Sequence, residues 1–149
     1  YWPQLFLGLT FNWGMIMAWT AFEGYISYEI CLLYLSAIFW TLGYDTIYGA
    51  QDMFDDEIIG LKSTSIKFKK NIKLFVALTY AFSVIIITSI FKDFLGYNLF
   101  STMFFLFIFS LTYQILNFNK NNPNSCLKMF KMNNISGSLL FLSILLIEY

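Results

Sequence analysis

The chain has 149 residues, of which 58% are hydrophobic and 21% aromatic, and only 12% are charged, about half the charged share of a soluble domain. Nine lysines balance nine acidic residues, so the net charge gives no sign of nucleic-acid binding. The absence of His excludes His-based zinc sites, Ser-His-Asp triads and haem held by His. With 18 Phe and 10 Tyr, the composition is that of an all-α, multi-span membrane bundle in a lipid bilayer. Cys31, in an apolar run, and Cys126, in a polar loop, are too isolated for a disulfide framework or a zinc cluster and read as structural.

A membrane helix needs about 20 mostly apolar residues. Five segments qualify in chain order: about 5–22, 30–50, 72–91, 99–118 and 135–149. The β-branched stretch from Val84 to Ile90 has strand-like composition, but its place inside a long apolar run predicts helix. The start at Tyr1, with no basic segment and cleavage site behind it, predicts a piece of a longer protein rather than a signal peptide.

The connections differ in charge. The first carries Glu23 and Glu29 and no Lys. The second, about 51–71, holds Lys62, Lys67, Lys69 and Lys70, with Lys73 just beyond it. The third holds Lys92 and Asp93, and the fourth Lys120, Lys128 and Lys131 among Asn residues and Pro123. Eight of the nine lysines therefore fall on one side of a five-span chain, the cytoplasmic (or mitochondrial matrix) side by the positive-inside rule, with Tyr1 on that side and Tyr149 opposite. The plain alternative is that the lysine runs are only solvated loops.

Five of the nine acidic residues crowd between Asp45 and Glu57. Two like charges ~4 Å apart repel by ~4 kcal/mol at an effective dielectric near 20, so a bound cation is one natural offset. On a continuous helix Asp45, Asp52 and Asp56 fall within about 40° of one another, with Tyr48 on the adjoining flank. Hard carboxylate oxygens suit Mg²⁺, which takes one or two carboxylates and leaves its other positions to water and phosphates. The spacing of Asp52, Asp55 and Asp56 does not match an EF-hand calcium loop. A solvated acidic helix end is the bland reading. Asp45 argues against it, because it follows an apolar stretch and acids inside a membrane are costly and usually functional. Lys62 either pairs with the acids or reaches a phosphate, and Ser63 and Thr64 either cap the next helix or donate to phosphate oxygens.

The full pattern, Asp45-Thr46-x-Tyr48-x-x-x-Asp52-x-x-Asp55-Asp56-x-x-x-Gly60-x-Lys62-Ser63-Thr64, resembles the second aspartate-rich motif of the UbiA superfamily of membrane prenyltransferases, most closely the 4-hydroxybenzoate polyprenyltransferase group. Pro3-Gln4-x-x-Leu7-Gly8 with Trp13-Gly14-x-x-Met17-Ala18 resembles the family's preceding helix, and Asn133-Asn134-x-x-Gly137 its last. Gly49 stands where Ala is usual, and Asn12 where Gly is frequent. The family's first motif, of the Asn-Asp-x-x-Asp-x-x-x-Asp type, does not occur here. The resemblance therefore implies five helices of a nine-helix fold, the C-terminal half of the enzyme.

The same resemblance implies transfer of a polyprenyl group from polyprenyl diphosphate to 4-hydroxybenzoate, ortho to the hydroxyl, in ubiquinone biosynthesis at a bacterial or mitochondrial inner membrane. Asp52, Asp56 and then Asp45 are the implied catalytic Mg²⁺ ligands. Lys62, Tyr48 and Ser63 are the implied substrate contacts, and the N-terminal helices absent from this chain would complete the site. Two rival readings remain open at this point: an inactive or partial fragment, and a membrane cation transporter or channel that uses Asp45 in its path.

Overall fold

The structure, a computed structural model, describes residues 1–147. Among the described residues there is no strand. The described residues form nine α-helices in order: α1 Pro3–Phe11, α2 Trp13–Glu23, α3 Tyr28–Gly49, α4 Met53–Ile58, α5 Thr64–Lys67, α6 Ile72–Ile90, α7 Leu99–Asn117, α8 Pro123–Lys131 and α9 Asn133–Leu145. A single 3₁₀ turn, Lys92–Phe94, joins α6 to α7.

Among the described residues four stretches are long and apolar enough to cross a membrane: Pro3–Glu23, Tyr28–Gly49, Ile72–Ile90 and Leu99–Asn117. They coincide with the first four spans expected from sequence. The last expected span corresponds to α9, whose 13 residues reach about 20 Å at 1.5 Å per residue. Positions 148 and 149 of that span lie outside the described residues.

Local signals set the boundaries. Pro3 opens α1, where its missing N–H costs nothing. The first span bends at Asn12, whose backbone N–H reaches Gly8 O at 3.4 Å. The Asn12 side chain compensates by donating to Gly8 O and to Thr41 Oγ1, both at 2.8 Å, which ties the bend to α3. Gly24 ends α2 in the left-handed region at φ 78°. Side chains of Ser27, Asn98 and Asn122 accept backbone N–H groups at the starts of α3, α7 and α8.

Helix α3 is the central post, packing against α1, α2, α6 and α8. Its closest approach to α6 is at Gly43, where an added Cβ would strike the Tyr80 ring and come within 2.8 Å of Thr79 Oγ1. Across the molecule, α7 lies against α9. Phe100, Phe104 and Phe107 stack along the inner face of α7, and Trp40 of α3 meets Phe107 edge-on at 5.2 Å.

The apolar interior also holds a polar chain. Tyr80 OH donates to Gln114 Oε1 at 2.7 Å, Gln114 Nε2 donates to Ser136 Oγ at 2.9 Å, and Ser110 Oγ shares a 2.8 Å bond with Ser136 Oγ. All four residues are buried, so α6, α7 and α9 are linked where no water competes for the bonds.

The lysine-rich connections meet at one end of the bundle. Lys120 Nζ donates to Lys69 O at 2.7 Å, and Lys73 Nζ to Leu116 O at 3.0 Å. The N-terminus joins them, with the Trp2 ring edge-on to Phe68 at 5.9 Å and beneath the Lys67 ammonium at 4.3 Å.

Candidate active site at the end of α3

The acidic run occupies the same end. Helix α3 stops at Gly49, and a tight turn follows in which Gln51 N–H donates to Tyr48 O at 2.9 Å. Asp52 then opens α4 with φ −105° and ψ 9°, outside helical values. The single stripe of Asp45, Asp52 and Asp56 drawn on a continuous helix is therefore divided: Asp45 lies on α3, and Asp52 and Asp56 belong to the next helix. The i,i+4 relation of the latter two survives, because Asp56 N–H donates to Asp52 O at 2.9 Å and puts them on successive turns.

The segment after α4 is pinned beneath this turn. Gly60, at φ 77°, turns the chain back toward α3. Ser63 caps α5 by accepting the Ile66 N–H at 3.3 Å, which is the structural role open to it from sequence. Thr64 Oγ1 shares a 2.7 Å bond with Thr46 Oγ1, and Thr64 N–H donates to Gln4 Oε1 at 3.0 Å. Ser65 Oγ donates to Thr46 O at 2.8 Å. Thr46, Thr64 and Ser65 are fully buried, so every one of these bonds is shielded from water. A Cβ at position 49 would come within 2.8 Å of Ser65 Oγ and 3.2 Å of Gln4 Nε2. Glycine at this position thus leaves room for the Ser65 turn directly against α3.

The carboxylates above this anchor remain unengaged. Among the described residues Asp45, Asp55 and Asp56 accept no hydrogen bond and form no ion pair, and Asp52 receives only a long 3.5 Å contact from Gln51 Nε2. The lysines close by are occupied elsewhere. Lys69 pairs with Glu57 and covers the Phe54 ring, Lys67 covers Trp2, and Lys62 lies 5.5 Å from the Tyr1 ring centre. Gln51 Oε1, buried beside Asp52, has no partner among the described residues. Unpaired carboxylates next to an orphaned amide oxygen are a donor set for a hard divalent cation. Among the described residues no three His, Cys, Asp or Glu side chains converge on one point, so a cation held here would draw further ligands from a phosphate, water or another segment.

Tyr48, exposed at the end of α3, lies 4.6 Å centre to centre from Phe130 of α8, and Tyr44 lies 5.9 Å from the same ring. A cleft of about 390 Å³ opens beside them, lined by Asn12, Thr41, Tyr44, Lys131, Asn133 and Asn134 among others. Trp40 Nε1 donates to Asn133 Oδ1 at 3.2 Å along its wall. Sequence reasoning noted Gln4 and the Asn133-Asn134 pair only as points of family likeness, and it missed Thr41 and Ser65. Polar residues at regular spacing inside apolar runs were the available signal. Cys126 lies apart; burial pushes its thiol upward in pKa and its Sγ donates to Asn119 O, as befits a packing residue.

The model of the UbiA prenyltransferase family matches residues 1–135. The chain is 41% identical to the mitochondrial 4-hydroxybenzoate polyprenyltransferase of Bos taurus and 40% identical to that of Homo sapiens, in each case over 98% of this chain and 40% of the relative. The Arabidopsis thaliana protein of the same name is 54% identical over 51% of this chain and 19% of its own length. The chain thus spans about two-fifths of the length of the bovine and human relatives. No solved structure matches it. With four membrane-length helices, the aspartate-rich turn at the end of α3 and a family match over nine-tenths of its length, the chain belongs to the UbiA prenyltransferase family.

Proposed function

We propose that this chain supplies one acidic face of the site at which a polyprenyl group passes from its diphosphate to the ring of 4-hydroxybenzoate, in ubiquinone biosynthesis. The observation that carries the proposal is the Asp52–Asp56 pair, left without lysine partners on a turn anchored from below by Gln4, Thr46, Thr64 and Ser65. The printed names of the bovine, human and plant relatives support the choice of acceptor. Helices outside this chain would bring the other acidic motif.

Asp52 and Asp56, with Asp45 behind them, would hold Mg²⁺ against the diphosphate. Bound there, the metal would neutralise the charge that develops on the leaving diphosphate. Lys62, whose ammonium is exposed and makes only an aromatic contact, would donate to a diphosphate oxygen. As the allylic C–O bond breaks, its electron pair leaves with the diphosphate. The ring carbon ortho to the hydroxyl forms the new C–C bond and then gives up its proton. Tyr48 would line the path of the prenyl group, with Phe130 behind it, and keep water from the cation. Ser63 is committed to the α5 cap, so its contribution would be to hold Lys62 and Thr64 in register. The eight lysines at one end of the bundle support a cytoplasmic or matrix location for this face.

The test is prenyl transfer in membranes containing the natural full-length protein, with labelled 4-hydroxybenzoate and a polyprenyl diphosphate, in Mg²⁺ or in EDTA. Labelled lipid that forms only with Mg²⁺ is the expected result. Absence of product from a folded, membrane-inserted protein would overturn the choice of acceptor. Product formation that persists in EDTA would overturn the metal role.

A further inference from the structure

A second basic feature lies between α6 and α7, apart from the acidic turn. At the lysine-rich end these helices enclose a hollow of about 620 Å³, and Lys70, Asn71, Lys73, Asn117, Asn119 and Lys120 line it with no acidic residue among the lining side chains. Two of the ammonium groups are already positioned. Lys73 donates to Leu116 O at 3.0 Å and stands 5.4 Å from the centre of the Phe118 ring, and Lys120 donates to Lys69 O at 2.7 Å. Each ammonium has three N–H donors, so donors remain for a further acceptor. Lys70 forms no hydrogen bond or ion pair among the described residues. Helix α6 also begins here, and Asn71 leaves its first turn without a side-chain cap, so the N–H end of a 19-residue helix adds to the positive field.

Deeper between the same two helices runs an apolar groove of about 300 Å³, walled by Ala77, Ala81 and Ile85 on one side and Ile108, Leu111 and Ile115 on the other. Leu74 and Leu116, 59% and 70% exposed, stand between the hollow and the groove. Leu74, Ala77, Ala81 and Ile85 share one stripe of α6, and the alanines keep that stripe shallow.

We propose that this face binds an anionic phospholipid, with the phosphate of its headgroup among Lys70, Lys73 and Lys120 and an acyl chain along the α6–α7 groove. Charge selects the phosphate, and the apolar groove selects a lipid over a free anion. Basic pockets between membrane helices on the cytoplasmic or matrix side are sites of this chemistry. The proposal is independent of the reaction assigned to the acidic turn.

The experiment uses the natural full-length protein in detergent. Retained dioleoyl phosphatidylglycerol is counted by native mass spectrometry against dioleoyl phosphatidylcholine, and thermal stability is followed with each lipid and with inorganic phosphate. Phosphatidylglycerol is expected to be retained and to raise the melting temperature, while phosphatidylcholine and millimolar phosphate do neither. Each of Lys70→Gln, Lys73→Gln and Lys120→Gln should reduce retention about fivefold, and Lys128→Gln on α8 should leave it unchanged. Lys70→Gln breaks no internal hydrogen bond, so it remains informative if the other two variants unfold. Equal retention of the two lipids, unchanged retention in Lys70→Gln, or equal stabilisation by inorganic phosphate would overturn the proposal.

Discussion

The two halves of the aspartate-rich segment lie side by side and are built in opposite ways. In Ser63–Thr64–Ser65 every side-chain oxygen is buried and bonded to its surroundings. In Asp52–Asp56 the carboxylates are left with no strong partner, although Lys62, Lys67 and Lys69 belong to the same connection between α3 and α6. A folded chain ordinarily uses nearby opposite charges or lets acids disperse into water. Here the lysines lie over Tyr1, Trp2 and Phe54, and Lys69 pairs with Glu57 instead of an aspartate. The buried half fixes the position of the turn, and the acidic half carries charge that no ion pair among the described residues neutralises at Asp52 or Asp56.

The sharpest way to break this comparison is to alter each half separately. Asp52→Ala or Asp56→Ala in the full-length protein should lower prenyl-transfer turnover by at least about a hundredfold, the order expected for loss of transition-state charge stabilisation. Asp52 is exposed and Asp56 partly buried, and neither carboxylate has a strong partner, so the same variants should change stability by no more than about 1 kcal/mol. Turnover and thermal unfolding measured on one preparation check both statements.

The second prediction reverses the pattern. Thr64→Val removes the 2.7 Å bond to Thr46 Oγ1, which keeps its bond to Leu42 O, and should cost about 0.5–1.5 kcal/mol of stability. Turnover per folded molecule should fall far less than in the aspartate variants. Gln114→Leu, remote from the acidic turn, should cost about 1–3 kcal/mol by stranding the buried Tyr80 OH, while Ser136 Oγ keeps its bond to Ser110 Oγ. The Mg²⁺ dependence of turnover should not move in that variant. A shift of its Mg²⁺ midpoint would show that the interior network and the acidic turn are coupled.

Much of this was legible before the fold was seen. Composition and apolar runs marked the first four spans, because length and hydropathy are local properties of the chain. The motif from Asp45 to Thr64 and most of the lysines lie at one end of the bundle, as their place in the connections implied. The apolar run marked the end of α3 near position 50, but the periodic count that set Asp45 beside Asp52 ignored that end. A periodic count treats α3 as continuous through Asp52, whereas the chain turns where Ser65 and Gln4 pack against Gly49, contacts made by residues 16 positions later and 45 earlier. The bonds of Gln4 to Thr64 and of Asn12 to Thr41 were hidden for the same reason: each joins segments far apart in sequence.

Smaller effects refine the picture. Gly49→Ala should cost about 1 kcal/mol, because the new methyl displaces the Ser65 hydroxyl from its bond to Thr46 O. Glu57→Gln removes only the exposed pair with Lys69 and should change stability by less than about 1 kcal/mol. Chemical unfolding of the purified variants orders the two; a larger loss in Glu57→Gln than in Thr64→Val would invert the roles assigned to the two halves.

The central claim is that Asp52 and Asp56 hold a divalent cation together with a diphosphate. Binding of Mn²⁺ to the full-length protein, followed by electron paramagnetic resonance with and without inorganic diphosphate, tests it most directly. The account predicts Mn²⁺ binding that strengthens with diphosphate, is lost in Asp52→Asn and Asp56→Asn, and persists in Thr64→Val once that variant is folded. Unchanged Mn²⁺ binding in both aspartate variants would contradict it.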